Sequence, residues 1–338
     1  MTAARLRSLD VARCIAIVMM VLAHVRDGLI STEGNAHWLA RLHDWTRGLT
    51  APLFFIVSGW AFAAATVPRW PSFQVWGPGL RARTERIVTL FVVGKLLTLP
   101  WWHPGFPVDV PADVWVPFTA SGVLECIALA MAVAHGLALL KLTPRTFAAV
   151  MLALTVAAVG LAAPVQAATA GWPLLLRGPF NTDGAGGGFA LFPNGGYFWL
   201  GVAVGALWVT KPWSSATTLG LGAAAKLVAL AVGGGGALFL SRGGWALLLL
   251  GALQLAVPAG AAMPKVELVA RRAFTFYVVH MVALWGVPFV PGLVFLVQKS
   301  FSVFGVLGAT AAILGGTAAA LLAVDRWSPE RGAAAVTR

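Results

Sequence analysis

Three side chains in the first apolar stretch, Asp10, Arg13 and His24, are of the types that move protons and charge. At about 100° per residue, the steps from Arg13 to His24 make roughly three turns plus 20°, and those from Asp10 fall roughly 40° short of four turns. All three therefore share one helix face. With about 1.5 Å rise per residue, Arg13 and His24 stand roughly 16 Å apart, about half of a hydrocarbon core. A charge at the centre of a bilayer costs about 2.5 to 3.5 kcal/mol to insert, so this face implies a task. It joins a charged mouth to a deep imidazole, whose ordinary pKa near neutrality suits general base chemistry. Asp10 and Arg13 lower each other's insertion cost as an ion pair.

Further polar groups recur at defined places along the chain. Arg47 and Ser58 are 11 residues apart and align on an extended helix; Ser58-Gly59 equally serves as a small pair that admits another backbone. Arg81, Arg83 and Arg86 form the densest basic cluster, which either fixes topology or cradles phosphate, because guanidinium forks match phosphate oxygens. Lys95 falls near mid-membrane, where it faces a cavity or a carboxylate. Glu125, one turn into its span, falls at the outer depth of His24 and is either the partner of that imidazole or a neutral acid near the interface. Asn194 follows Phe192-Pro193 in a broken helix start that could line a site. Tyr277 and His280, at i and i+3, share a face about 6 to 10 Å from the inner end of their span, a depth near Arg13 and Asp10.

These residues must be positioned by membrane-spanning helices. The 338 residues are 59% hydrophobic and only 11% charged, too little polar surface for a water-facing fold. Segments long enough to span fall at 9–30, 49–68, 86–102, 121–140, 146–168, 190–210, 217–240, 244–262, 273–296 and 302–324. The fold class is thus an all-α polytopic membrane protein, about ten helices in one bundle forming a single domain over residues 1–338. The intervening stretch 31–48 reads as a solvated outer connector, Gly184 to Gly188 as a flexible outer loop, and Gly233 to Gly236 as a kink or packing site inside a helix.

A net charge of +12 suggests nucleic acid, but its distribution does not. With the N-terminus inside, inner loops and ends hold fifteen of the 24 Lys and Arg and outer loops six, which places both termini in the cytoplasm. Arg5 and Arg7 before an apolar run also fit a signal peptide, although cleavage after Ala23 would free His24 from its helix. The two cysteines, Cys14 and Cys126, imply neither a disulfide framework nor a thiolate metal site, and no metal, flavin or nucleotide motif is present.

Arg7-Ser8-Leu9-Asp10-Val11-Ala12-Arg13, with Ala16-Ile17 and Met20-Val21-Leu22-Ala23-His24, resembles the first-helix signature of the transmembrane acyltransferases. That superfamily includes the acyltransferase-3 enzymes and the heparan-alpha-glucosaminide N-acetyltransferase-like proteins. Ala51-Pro52-Leu53-Phe54-Phe55-Ile56-Val57-Ser58-Gly59 is similar to its second-helix motif, Arg83 and Arg86 to the basic start of its third helix, and Phe276-Tyr277-Val278-Val279-His280 to its late aromatic-histidine motif. Cys14 departs from the glycine that many relatives carry there, and Ala51-Pro52 before the aromatic pair leans toward the N-acetyltransferase-like branch.

The resemblance implies acyl transfer from cytoplasmic acyl-CoA, acetyl-CoA foremost, to a hydroxyl or amine of a glycan or other cell-envelope acceptor, O- or N-acetylation, across the inner membrane. His24 is then general base or covalent acyl carrier, Glu125 orients it, and Asp10 completes the catalytic set. Arg13, Arg81, Arg83, Arg86, Lys95, Tyr277 and His280 would hold the donor, and Arg47, Ser58 and Asn194 the acceptor. Expected partners are the lipid bilayer and that acceptor, with no nucleic acid; oligomeric state is left open. The rival is a proton-coupled transporter or lipid-linked glycan flippase using the same intramembrane groups, against which the sequence shows no paired interrupted helices in corresponding halves.

Overall fold

The computed structural model describes residues 6–181, 188–258, 262–288 and 290–327. The chain divides into two compact units, Met1–Arg13 with Gly48–Met263, and Cys14–Arg47 with Pro264–Arg338.

Helix α1 (Arg7–Leu29) runs unbroken through the boundary at Cys14. The expected connector 31–48 is almost wholly helical. Ser31 accepts a hydrogen bond from the Gly34 N–H at 3.0 Å and starts α2 (Thr32–Ala36), and α3 (Trp38–Thr66) follows after one residue. Because α3 starts at Trp38 rather than at 49, Pro52 lies in its interior, where it removes a donor, and not in its first turn. Helix α4 (Pro78–Leu97) opens with proline at its first position. Next come the single turn α5 (Val116–Thr119) and α6 (Val123–Ala138). Thr143 caps α7 (Pro144–Gly160), which meets α8 (Ala162–Thr169) at a 60° bend. The loop that follows contains one turn, α9 (Leu174–Arg177), and most of Gly184 to Gly188 lies outside the described residues.

The broken start expected at Phe192-Pro193 is present at the head of α10 (Leu191–Thr210): Phe192 is non-helical, φ −107° and ψ 116°, and its bond to Pro193 is cis. The expected spans 217–240 and 244–262 are α11 (Ser215–Ala231) and α12 (Gly234–Ala256), with the break falling before Gly234 and not after 240. Gly234 sits at φ +64°, a left-handed conformation that glycine adopts without penalty, and the glycine run has the lowest helix propensity short of proline.

Within the first unit, glycines set the helix approach. A Cβ on Gly59 would overlap the Phe198 carbonyl oxygen, and one on Gly201 the Ile56 carbonyl oxygen, so α3 and α10 meet backbone to backbone. The Ser58-Gly59 pair thus admits a neighbouring backbone, as its small size suggested. Gly222 of α11 and Gly244 of α12 are likewise apposed: a Cβ on either would lie 2.9 or 2.8 Å from the other's carbonyl oxygen.

In the second unit, α13 (Pro264–Arg271) and α14 (Ala273–Trp285) meet at a 64° bend. The expected span 273–296 ends at Trp285, because Gly286 at φ +90° turns the chain into a short antiparallel hairpin of β1 (Gly286–Val287) and β2 (Val290–Pro291). Helices α15 (Leu293–Val297) and α16 (Val303–Trp327) complete the unit. Its core joins Ile17, Val21, Val25 and Leu29 of α1 to Phe276 and Leu284 of α14 and Val306 of α16. Phe301 donates to the Leu29 carbonyl at 2.9 Å and accepts from the Ser31 N–H at 2.9 Å, tying the end of α1 to the start of α16.

Among the described residues, four runs are long and apolar enough to cross a membrane: α1, Trp38–Phe73, α12, and Val303–Val324 of α16. Three bent pairs raise this to seven if each is one span, against about ten expected. The difference has local causes. Helix α4 carries Arg81, Arg83, Glu85, Arg86 and Lys95, and the break at Gly233 leaves α11 with 17 residues, about 26 Å against a core of about 30 Å.

Candidate functional site

His24 lies in the second unit, five residues before the end of α1, and is half-buried. Its Nδ1 is 2.8 Å from Nε2 of His280 on α14. The two rings are nearly parallel, 11° apart, with centroids 5.1 Å from each other. Coplanar rings joined edge to edge by such a bond have this centroid separation, so the contact is an in-plane hydrogen bond and not a face-to-face stack. His280 is fully buried, and its Nδ1 is 2.8 Å from the Phe276 carbonyl oxygen one turn earlier. Aromatic edges hold both rings: Trp285 against His24 at 6.0 Å and Tyr277 against His280 at 5.3 Å between centroids.

His280 was expected at the depth of Asp10 and Arg13, by counting from the inner end of an unbroken helix. The bend after Arg271 invalidates that count, and His280 meets His24. The ring found at His24 Nδ1 is His280; Glu125, expected to orient His24, lies in the first unit.

Arg26, two residues beyond His24, has its guanidinium buried in a network that the sequence did not suggest. It donates to both carboxylate oxygens of Asp44 at 2.5 and 2.9 Å and to Asn35 Oδ1 at 2.6 Å, and it lies 2.9 Å from His43 Nδ1. His43 Nε2 is buried and without a hydrogen-bond partner among the described residues. The available signal was the adjacent pair His43-Asp44 placed so that a helix starting at Trp38 turns it back on α1. Arg47, expected at the acceptor, forms an exposed ion pair with Asp27.

In the first unit, Asp10 and Arg13 pair at 3.6 Å across one turn, as their insertion cost required. Lys95 donates to the carbonyls of Phe118 at 2.8 Å and Ala120 at 2.6 Å, and its ammonium is 3.8 Å from Glu125 Oε1. Glu125 is buried between two glycines: a Cβ on Gly94 or Gly122 would lie 2.5 or 2.8 Å from its Oε2. Its Oε1 has no hydrogen bond among the described residues.

Arg83 donates to Thr66 Oγ1 at 3.0 Å and lies over the Phe62 and Phe73 rings, 4.4 and 5.5 Å from their centroids. The aromatic faces hold its guanidinium in a fixed plane. Arg81 pairs with Glu85 at 2.9 Å on the exposed face of α4, and Arg86 is exposed. Ser58 is half-buried on α3, while Asn194 donates to the Ala190 carbonyl at 3.0 Å, bracing the head of α10.

Helices able to cross a membrane, glycine seams between them, and titratable groups held inside each unit define a polytopic membrane protein with buried charged and imidazole groups. The model for the catalytic domain of heparan-alpha-glucosaminide N-acetyltransferase matches residues 5–240, and the chain belongs to that family of transmembrane acetyltransferases. The match takes in α1 through α11 and the opening of α12, hence Asp10, Arg13, His24, the α4 arginines, Lys95 and Glu125; Tyr277 and His280 lie beyond it. Comparison with curated proteins finds no match.

Proposed function

We propose that the protein moves an acetyl group from cytoplasmic acetyl-CoA to a hydroxyl or amine of a glycan, or another cell-envelope acceptor, at the outer face of the inner membrane. The observation that carries this reading is His24. It lies inside the matched range, one ring nitrogen is held by His280, the other has no hydrogen-bond partner among the described residues, and the ring is half-buried. An imidazole so held can take the acceptor's proton, a service that contributes about 10² to 10⁴-fold in rate.

In this reading Arg81, Arg83 and Arg86 bind the phosphates of CoA, with Arg83 preset by its two phenyl rings. Asp10 and Arg13 form a gate on the face of α1 that leads to His24. Tyr277 holds His280 from its edge. Arg47 and Ser58 contact the acceptor, and Asn194 shapes the start of α10. Lys95 and Glu125, paired with each other, join α4 to α6. The basic excess of the inner loops supports cytoplasmic termini and hence a cytoplasmic donor.

The three bent helix pairs favour a second reading, a proton-coupled transporter or lipid-linked glycan flippase, since interrupted helices line many transport sites. Proteoliposomes separate the two. Labelled acetyl-CoA is supplied on the side of the termini and glucosamine, as acceptor probe, on the other. Labelled acetylglucosamine, with thiol released in equal amount, supports acetyl transfer. Intact acetyl-CoA under every acceptor probe, together with proton-driven substrate uptake, overturns it.

A further inference from the structure

The hydrogen bonds around His280 determine which nitrogen of His24 is free to react. A carbonyl oxygen can only accept, so the 2.8 Å contact with Phe276 requires that His280 Nδ1 carry a hydrogen. A neutral imidazole carries one hydrogen, which leaves His280 Nε2 as a lone pair. A second proton on this fully buried ring would be an uncompensated charge and would set two donors against each other if His24 kept its own. His24 Nδ1, 2.8 Å from that lone pair and in the plane of the ring, is therefore the donor. Neutral His24 then carries its hydrogen on Nδ1 and presents Nε2 bare. Free histidine in water prefers the opposite tautomer, with the hydrogen on Nε2.

We infer that His280 is a positioning residue: its Nε2 accepts from His24 Nδ1–H, fixes the less common tautomer of His24, and so makes Nε2 of His24 the proton-accepting atom. This rests on the reading of His24 as the base. The step balances with no further reactant. The acceptor's O–H or N–H gives its proton to His24 Nε2, and its oxygen or nitrogen bonds to the acetyl carbon. The carbon–sulfur bond breaks, and the CoA thiolate takes the proton from Nε2, leaving His24 in its starting tautomer. While His24 is an imidazolium, its Nδ1–H still points at the His280 lone pair, and that bond becomes charge-assisted and stronger. His280 thus favours the charged state over the resting one, with a neutral ring where other enzymes use a carboxylate.

The test is the tautomer of His24, read by nitrogen NMR on ¹⁵N-histidine protein in nanodiscs, with His24 assigned by its loss in His24→Ala among the six histidines. Wild type is expected to show hydrogen on Nδ1 and a bare Nε2. In His280→Phe, His24 is expected to shift to the Nε2–H form, and kcat for acetyl-CoA consumption to fall about 10²-fold with KM unchanged. His280→Gln, whose side-chain oxygen can occupy the place of Nε2 and accept the same hydrogen, is expected to restore both. An Nε2–H tautomer in wild type overturns the inference without any variant, and so does an unchanged tautomer in His280→Phe. If His24→Ala turns over as fast as wild type, the base reading fails, while the tautomer still decides what His280 does.

Discussion

Replacing Lys95 by methionine removes the cation facing a buried carboxylate. At 3.8 Å, two unit charges attract by about 4 kcal/mol at an effective dielectric of 20. The Lys95 side chain retains 14% exposure, and its ammonium also donates to the Phe118 and Ala120 carbonyls, so about half of this survives as coupling, about 2 kcal/mol. Glu125 is the more vulnerable partner. Its carboxylate is 2% exposed, with one oxygen lacking a hydrogen bond among the described residues, and an unpaired buried charge costs more than a missing pair. Lys95→Met is therefore expected to lower the thermal midpoint by about 4 to 8 °C, Glu125→Gln by less than half of that, and the double variant to recover most of the loss. Cys126 provides the reporter. It is fully buried, with its Sγ 3.8 Å from the Ala190 carbonyl oxygen, and reacts with a fluorogenic thiol dye only when α6 unpacks. The series is run in a Cys14→Ser background. Additive losses, or Glu125→Gln as damaging as Lys95→Met, would refute the pairing.

Gly59→Val drives a side chain into the Phe198 carbonyl and is expected to cost about 3 kcal/mol, seen as loss of the monodisperse peak in detergent, whereas Ala61→Val beside it, at a half-buried position, is tolerated. Arg83→Lys keeps the charge but loses the planar contact with Phe62 and Phe73; it should raise the KM for acetyl-CoA about tenfold with little change in kcat. Arg26→Lys cannot reproduce the fork to Asp44 together with the bond to Asn35. It should lose about 2 kcal/mol, read as a lower unfolding midpoint.

The long apolar runs of α1 and α16 were legible, because hydrophobic length alone determines them. The Asp10–Arg13 pair was legible too, since both residues sit on one turn and neither is affordable alone. The start of α3 was hidden by charge: residues 38–48 look solvated, and Asp44 remains 51% exposed even while it and His43 bond the buried Arg26 guanidinium. The break between α11 and α12 is visible as four glycines, a composition that equally suits a kink or a packing site, and φ at Gly234 marks it as a break. The partner of His24 was hidden for a topological reason. Depth arithmetic along straight helices put Glu125 opposite His24 and His280 elsewhere, while the 64° bend between α13 and α14 carries His280 to His24. Bends of this kind arise at single residues such as Arg272, which carry no distinctive composition.

The measurement that bears most directly on the central claim is the rate of acetyl-CoA thioester loss by nanodisc protein, wild type beside His24→Ala, with thiol release and dye-reported folding followed in the same samples. The account predicts that His24→Ala remains folded, binds acetyl-CoA as wild type does, and loses 10²-fold or more of kcat. A folded His24→Ala protein that releases thiol at the wild-type rate would contradict it.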